Sequence, residues 1–209
     1  MPRIYVLAGV NGAGKSSIGG AAIREAGADY YNPDEAARAL RNLNPRLSQA
    51  EANAAAWLGG KLMLERAIRE RLDFAFETTL GGSTMTALLT GLAAVGFAIH
   101  VWYSGLASPE QHLERVRARV RLGGHDISEA DIRRRYRYSR LNLIRLLTDV
   151  ASLRVFDNSF DADPAAGKTP APQLVLHLEK DVLKNPTDLA KTPEWAKPIV
   201  AAALKLPRR

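Results

Sequence analysis

The run of apolar and polar positions along the chain sets out an alternation of strands and helices. Arg3 to Ala8 (R-I-Y-V-L-A) packs β-branched, aromatic and aliphatic residues into a short run that stops at glycine, the pattern of a buried strand. Gly14 to Ala26 has helical spacing and closes at Gly27, and Asp29 to Asn32 predicts a short second strand. Asp34 to Leu43 predicts a helix, which Asn44-Pro45 interrupts. Ser48, with Glu51 three residues on, forms a capping box for a long helix rich in alanine and leucine that runs to Arg71. Phe74 to Thr78 predicts a compact strand, Ser83 to Val95 a helix, and Phe97 to Ser104 a strong apolar strand. Ser108-Pro109 supplies a cap and a first-turn proline for the next helix, which Gly123-Gly124 breaks. A second helix follows from about Ser128 to Leu147, and Leu153 to Phe156 predicts a last core strand. Gln173 to Leu178 reads as an added edge strand, and a helix is expected around Trp195 to Leu204.

Repeated strand–helix units imply an α/β fold: a mostly parallel sheet of about five strands with helices on both faces. The 209 residues suffice for one substantial core, so a single domain is expected over 1–209, with residues after about 162 as a C-terminal appendage. With no cysteine, disulfides, thiolate zinc sites and cysteine nucleophiles are excluded. The apolar stretch Ile4 to Val10 is too short for a signal peptide, and no run approaches the roughly 18 apolar residues of a membrane span. A soluble cytoplasmic protein is expected.

Charge changes the picture only where it is concentrated. The net charge is +7, yet ten arginines and only four acids fall between His112 and Arg145. Such a cluster suits phosphate-rich ligands, whether nucleotides or nucleic acid; the plainer reading is a solvated helical face.

Four elements carry chemistry. Gly9-Val10-Asn11-Gly12-Ala13-Gly14-Lys15-Ser16 fits G-x-x-x-x-G-K-S/T at every fixed position, directly after a strand and opening a helix. Its backbone N–H groups would cradle phosphate oxygens, Lys15 would reach the β- and γ-phosphates, and Ser16 would sit on Mg²⁺. Asp34 follows the second strand, where α/β sheets gather ligands; its carboxylate could take a hydroxyl proton or simply cap the helix. Glu77 ends another strand in Glu77-Thr78-Thr79 and could bind substrate hydroxyls or a metal-bound water, or serve as a turn or cap. No hydrophobic strand ends in an ordinary Walker B aspartate, so Glu77 and Asp34 are the best acidic partners for the metal. Two arginine-rich helices meeting at the glycine pair, from about 115 to 140, have the composition of a lid, with His125 read as structural.

Taken together, the phosphate loop, N-P-D-E at 32–35, F-E-T-T-L at 76–80, Arg119-Val-Arg121-Leu-Gly-Gly-His-Asp126 and D-I-R-R-R-Y at 131–136 resemble the zeta toxin family of P-loop kinases over roughly residues 3 to 160. The resemblance implies ATP and Mg²⁺ as cofactors and γ-phosphate transfer to a hydroxyl of a small substrate, such as the UDP-N-acetylglucosamine of the well-described toxins. It implies that Gly9, Asn11, Gly12, Ala13, Gly14, Lys15, Ser16, Ser17 and Arg119 hold the nucleotide, with Ser16 on the metal. Asp34 would be the catalytic base and, with Glu77, Thr78 and Arg135, a substrate contact. For the two lid arginines that act in catalysis beside Lys15, Arg121 and Arg134 are favoured over their rivals Arg119 and Arg135. A protein antitoxin becomes a possible partner. Two other classes stay open: a nucleic-acid-binding P-loop NTPase or polynucleotide kinase, which the sparse aromatics Tyr136 and Tyr138 support thinly, and a nucleotide sensor with slow hydrolysis.

Overall fold

Period-two alternation in β1 (Arg3–Ala8) sends Ile4, Val6 and Ala8 to one face of the sheet and Tyr5 and Leu7 to the other, and the rest of the fold is built on that division. The computed structural model describes residues 1–20, 30–160, 172–185 and 188–207. Around β1 stand β2 (Tyr30–Tyr31), β3 (Phe74–Thr78), β4 (Ala98–Gly105), β5 (Val150–Asp157), β6 (Gln173–Glu179) and β7 (Val182–Leu183), in the spatial order β2-β3-β1-β4-β5-β6-β7. The first five strands of that order run parallel; β6 and β7 add antiparallel. In register, Ile4 lies beside Phe74 and Ile99, and Val6 beside Phe76 and Val101.

The helices are α1 (Ser16–Gly20, wound as a π-helix), α2 (Pro33–Leu43), α3 (Gln49–Glu70), α4 (Ser83–Leu89), α5 (Pro109–Arg121), α6 (Glu129–Arg145) and α7 (Lys197–Leu204). Leu64 of α3, Leu89 of α4, Leu143 of α6 and Ile199 of α7 close over the Ile4 face and form the main core with it. Each such fully buried aliphatic or aromatic side chain contributes about 1.5–3 kcal/mol. On the opposite face a Cβ added to Gly19 of α1 would lie 2.3 Å from Leu7 Cδ2, so α1 packs directly on the sheet. Helices therefore cover both faces, as expected. No described helix is long and apolar enough to cross a membrane.

The sheet departs from expectation at one end. It has seven strands among the described residues rather than about five, and β6 is not the edge because β7 pairs with it. The connecting residues Lys180 and Asp181 have φ of 48° and 63°, both left-handed, which is how a two-residue hairpin turn matches strand twist. Without glycine or asparagine there, Asp181 alone gives the turn a weak signature in the sequence. The helix expected from Ser83 to Val95 stops at Leu89, where Thr90 turns extended and Gly91 (φ 80°) donates to Asp149. The final helix starts at Lys197 rather than Trp195, and β5 is longer than Leu153 to Phe156. It ends in Asp157, so a hydrophobic strand does end in an aspartate, which accepts from Trp195 Nε1 at 3.2 Å and the Ser159 N–H at 3.1 Å. The expected end of the first helix at Ala26 and Gly27, and Asp29 of the second strand, lie outside the described residues.

Candidate active site

The loop between β1 and α1 is held open by backbone that only glycine adopts freely. Gly9, Gly12 and Gly14 have φ of 138°, 84° and 79°. At Gly9 a Cβ would lie 2.1 Å from the Ser104 carbonyl oxygen, so β4 could not approach so closely past a larger residue. The loop is braced from several elements. The Ala13 carbonyl accepts from Ser104 Oγ and, at 3.0 Å, from Asn158 Nδ2 beyond β5. The Asn11 carbonyl accepts from His112 Nδ1 on α5 at 2.8 Å, which fixes the proton on that nitrogen. His112 is 1% exposed, and its burial pushes its pKa down to about 4, so the ring is a neutral strut.

Lys15 is 8% exposed and its Nζ lies 3.3 Å from Glu77 Oε1 at the end of β3. The same carboxylate accepts from Ser16 Oγ at 2.9 Å, Tyr30 Oη at 2.7 Å and Asn32 Nδ2 at 3.3 Å. Burial alone would raise the Glu77 pKa, but Lys15 and the hydroxyl donors outweigh it and hold the carboxyl below its ordinary value. The structure thus places Glu77 on the two side chains that a triphosphate and its metal would engage. Thr78 follows it on the cavity wall, its hydroxyl accepting from the Leu80 N–H at 3.1 Å.

Asp34 is freed by its neighbour. The cap of α2 is Asn32, whose Oδ1 accepts from the Asp34 and Glu35 N–H groups at 2.9 and 3.3 Å, so the helix does not need the Asp34 carboxylate as its cap. That carboxylate, 37% exposed in the first turn of α2, faces the lid: Arg119 Nη1 lies 3.4 Å from Oδ2 and His125 Nε2 3.6 Å from Oδ1. Burial and nearby arginines lower the His125 pKa against the pull of Asp34. Gly124 permits this fold-back, since a Cβ there would lie 2.7 Å from Arg119 Cγ. The glycine pair thus serves a close contact as well as a break between helices.

The arginines divide clearly. Arg135 of α6 is largely buried, donates to Asn11 Oδ1 at 2.7 Å and lines the cavity; burial draws its pKa down. Arg119 reaches Asp34. Arg134 is exposed, pairs with Asp131 at 2.7 Å and donates to the Gly81 carbonyl at 3.4 Å, and Arg121 is exposed on α5. Of the favoured pair, Arg134 thus touches Gly81 on the cavity wall and Arg121 stays exposed, while the rivals Arg119 and Arg135 touch Asp34 and Asn11. The Ser17 side chain lies outside what is described.

A cavity of about 320 Å³ joins these groups at the carboxyl ends of β1, β2 and β3, with Lys15 and Glu77 on one side and Asp34, Trp57 and His125 on others. The loop fits a nucleotide and its metal: glycine-freed N–H groups, a buried ammonium and a hydroxyl beside it are the donors that such a group needs. His112, Ser104 and Asn158 were not foreseen in the sequence, since each touches the loop from far along the chain. Asn32 could have been found there, because an asparagine before a first-turn proline is a cap signal.

The Zeta toxin family pattern matches residues 1–159. The chain belongs to the zeta toxin family. An uncharacterized protein of Haemophilus influenzae is 32% identical to it over 128 residues, 61% of this chain and 88% of that one. Among solved structures, AvrRxo1-ORF1:-ORF2 with ATP superposes with a TM-score of 0.64 at 14% identity, covering all of this chain and 66% of that one. The PezAT chromosomal toxin-antitoxin system of Streptococcus pneumoniae gives a TM-score of 0.55 at 15% identity, over 82% of this chain and 74% of that one. At these identities the structures speak for the shared fold.

Proposed function

We propose that this zeta-family protein is an ATP-dependent kinase that transfers the γ-phosphate to a hydroxyl of a small substrate, with UDP-N-acetylglucosamine as the first acceptor to try. The observation that carries the reading is that the phosphate loop and Asp34, on different elements, open onto one cavity and are each met by an arginine of the lid, Arg135 at Asn11 and Arg119 at Asp34. Bound Mg-ATP would supply the transferable phosphoryl group and the charge neutralisation it needs. The chain's own residues do the rest. Lys15 and Ser16, which now meet Glu77, would hold the triphosphate and the metal respectively, and Glu77 would stay beside them as an acceptor. Asp34 orients the acceptor hydroxyl and takes its proton as the oxygen attacks, the bond from the γ-phosphorus to its bridging oxygen breaking in turn. Arg135, anchored at Asn11, reaches the transferring phosphoryl group, and Arg119 holds Asp34 toward the acceptor.

The nucleic-acid reading finds less support. Much of the arginine excess is engaged within the protein: Arg133 with Glu129 and Glu110, Arg134 with Asp131, and Arg140 over the Tyr136 ring. A protein antitoxin remains the partner this reading expects, since the two neighbours are described as a toxin-antitoxin system and a two-protein complex. Asp34→Asn tests the mechanism, because Asn32 still caps α2. Transfer should fall by about 10²–10⁴-fold while Mg-ATP affinity changes little. Transfer within a few-fold of wild type would remove Asp34 as the base.

A further inference from the structure

Trp57 stands on α3 with 44% of its surface open, on the wall of the cavity that Asp34 and Glu77 share. A half-exposed indole leaves a large apolar surface in water, and here that surface belongs to a concave site rather than a convex one. Around it the apolar wall continues with Tyr31, Phe76 and Met85, and the polar groups are amides, hydroxyls and carboxylates: Asn53, Thr84 and Asp126. The charges are sorted. The two cations lining the cavity, Lys15 and Arg135, are tied to Glu77 and to the phosphate loop. Of the other acids, Asp34 is paired with Arg119 and Asp131 with Arg134, and Asp126 and the lid residue His125 complete the wall, so each of these arginines is already matched by a carboxylate.

We infer that Trp57 determines acceptor specificity, as the platform on which an uncharged sugar ring of the acceptor stacks. This deepens the kinase reading and rests on it. A sugar ring offers an apolar C–H face to the indole and hydroxyls along its edge to Asn53, Thr84 and Asp126. A phosphate or carboxylate at the same place would meet the Asp126 carboxylate and two arginines already matched by Asp34 and Asp131, and so find less favourable company than a neutral ring. Any anionic part of the acceptor therefore lies outside this end of the cavity.

Acrylamide quenching of tryptophan fluorescence tests the platform without any turnover. Trp195 is 3% exposed, so a Trp102→Phe background makes Trp57 the accessible tryptophan. The probes are glucose, mannose, ribose, N-acetylglucosamine and UDP-N-acetylglucosamine, with UDP and uridine as contrasts. At least one sugar should shield Trp57 while UDP and uridine do not. By titration calorimetry, the affinity of that sugar should fall about tenfold in Trp57→Leu and only a few-fold in Trp57→Phe, which keeps a ring face. Mg-ATP affinity should be the same in all variants. Shielding by UDP and uridine alone would overturn the sugar assignment, and so would equal binding by the Leu and Phe variants. No shielding by any sugar, with Mg-ATP binding intact, would overturn the platform and leave the kinase reading standing. Failure to bind Mg-ATP would instead strike that reading itself.

Discussion

The two ends of the cavity are built differently. At the nucleotide end the polar groups are buried and matched: Lys15 with Glu77, Asn11 with His112 and Arg135, and Ala13 with Ser104 and Asn158. At the acceptor end Asp34 is partly exposed, its two lid contacts are long at 3.4 and 3.6 Å, and the buried Arg119 Nε has no hydrogen-bond partner. An unpaired buried donor costs about 1–3 kcal/mol, so the lid side is less well matched than the nucleotide end. On the proposed reading, the contrast teaches that the phosphate site is formed in advance, while the acceptor would complete the arrangement around Asp34. Such a division would favour transfer over wasteful hydrolysis, because the base would be positioned only with an acceptor in place.

Removing the matched cation should break the contrast most severely. Lys15→Ala strips the triphosphate of a charge-assisted contact worth on the order of 1.5–3 kcal/mol, so calorimetry should show Mg-ATP binding weakened about 10- to 150-fold. It also leaves Glu77 buried without its cation, which should lower stability by about 3 kcal/mol, and adding Glu77→Gln should recover much of that loss. An unchanged dissociation constant would contradict the nucleotide site.

His112 gives the nucleotide end a pH signature. Its folded pKa of about 4 lies below the unfolded value, so the unfolded chain binds the extra proton. Stability from this group is complete above the ordinary histidine pKa and is lost as pH falls toward 4, by at most about 3 kcal/mol. Thermal melts between pH 7 and 4 should show this slope in wild type and a shallower one in His112→Gln.

The lid arginines sharpen the comparison with smaller effects. Arg135→Ala should slow transfer by about tenfold through loss of one charged contact, while Arg121→Ala should stay near wild type. Paired kinetics of the two variants decide between them, and a larger loss at Arg121 would reverse the assignment. Smallest is a change in protection: hydrogen exchange from Arg117 to Arg137 should slow when nucleotide and acceptor are both present, with the phosphate loop already protected. Full protection of that segment in the free protein would rule out a closing lid.

How much of this was legible in the sequence follows from the reach of each interaction. The strands β1 and β3 and the capping box at Ser48 are written in neighbouring residues and were read to their ends or nearly so. The phosphate loop was equally local. The choice among arginines was not: Arg119 and Arg121 are two residues apart on a helix, about 200° around its axis, and composition cannot tell which faces inward. Arg134 and Arg135 pose the same problem about 100° apart. His112 and Asn158 meet the loop across 101 and 145 residues, contacts that only the folded topology brings together. The Lys180-Asp181 turn left only a weak trace, because Asp181 tolerates a positive φ but Lys180 does not favour one and no glycine stands there.

The central claim is that this site moves a phosphoryl group to a small-molecule hydroxyl. It is tested most directly by supplying γ-labelled ATP and Mg²⁺ with a fractionated metabolite pool, nucleotide sugars forming one fraction, and following where the label goes. The account predicts label in a new phosphate monoester from one fraction, formed by wild type and lost in Asp34→Asn. Label appearing only as inorganic phosphate, at equal rates in both proteins and with every fraction, would contradict it.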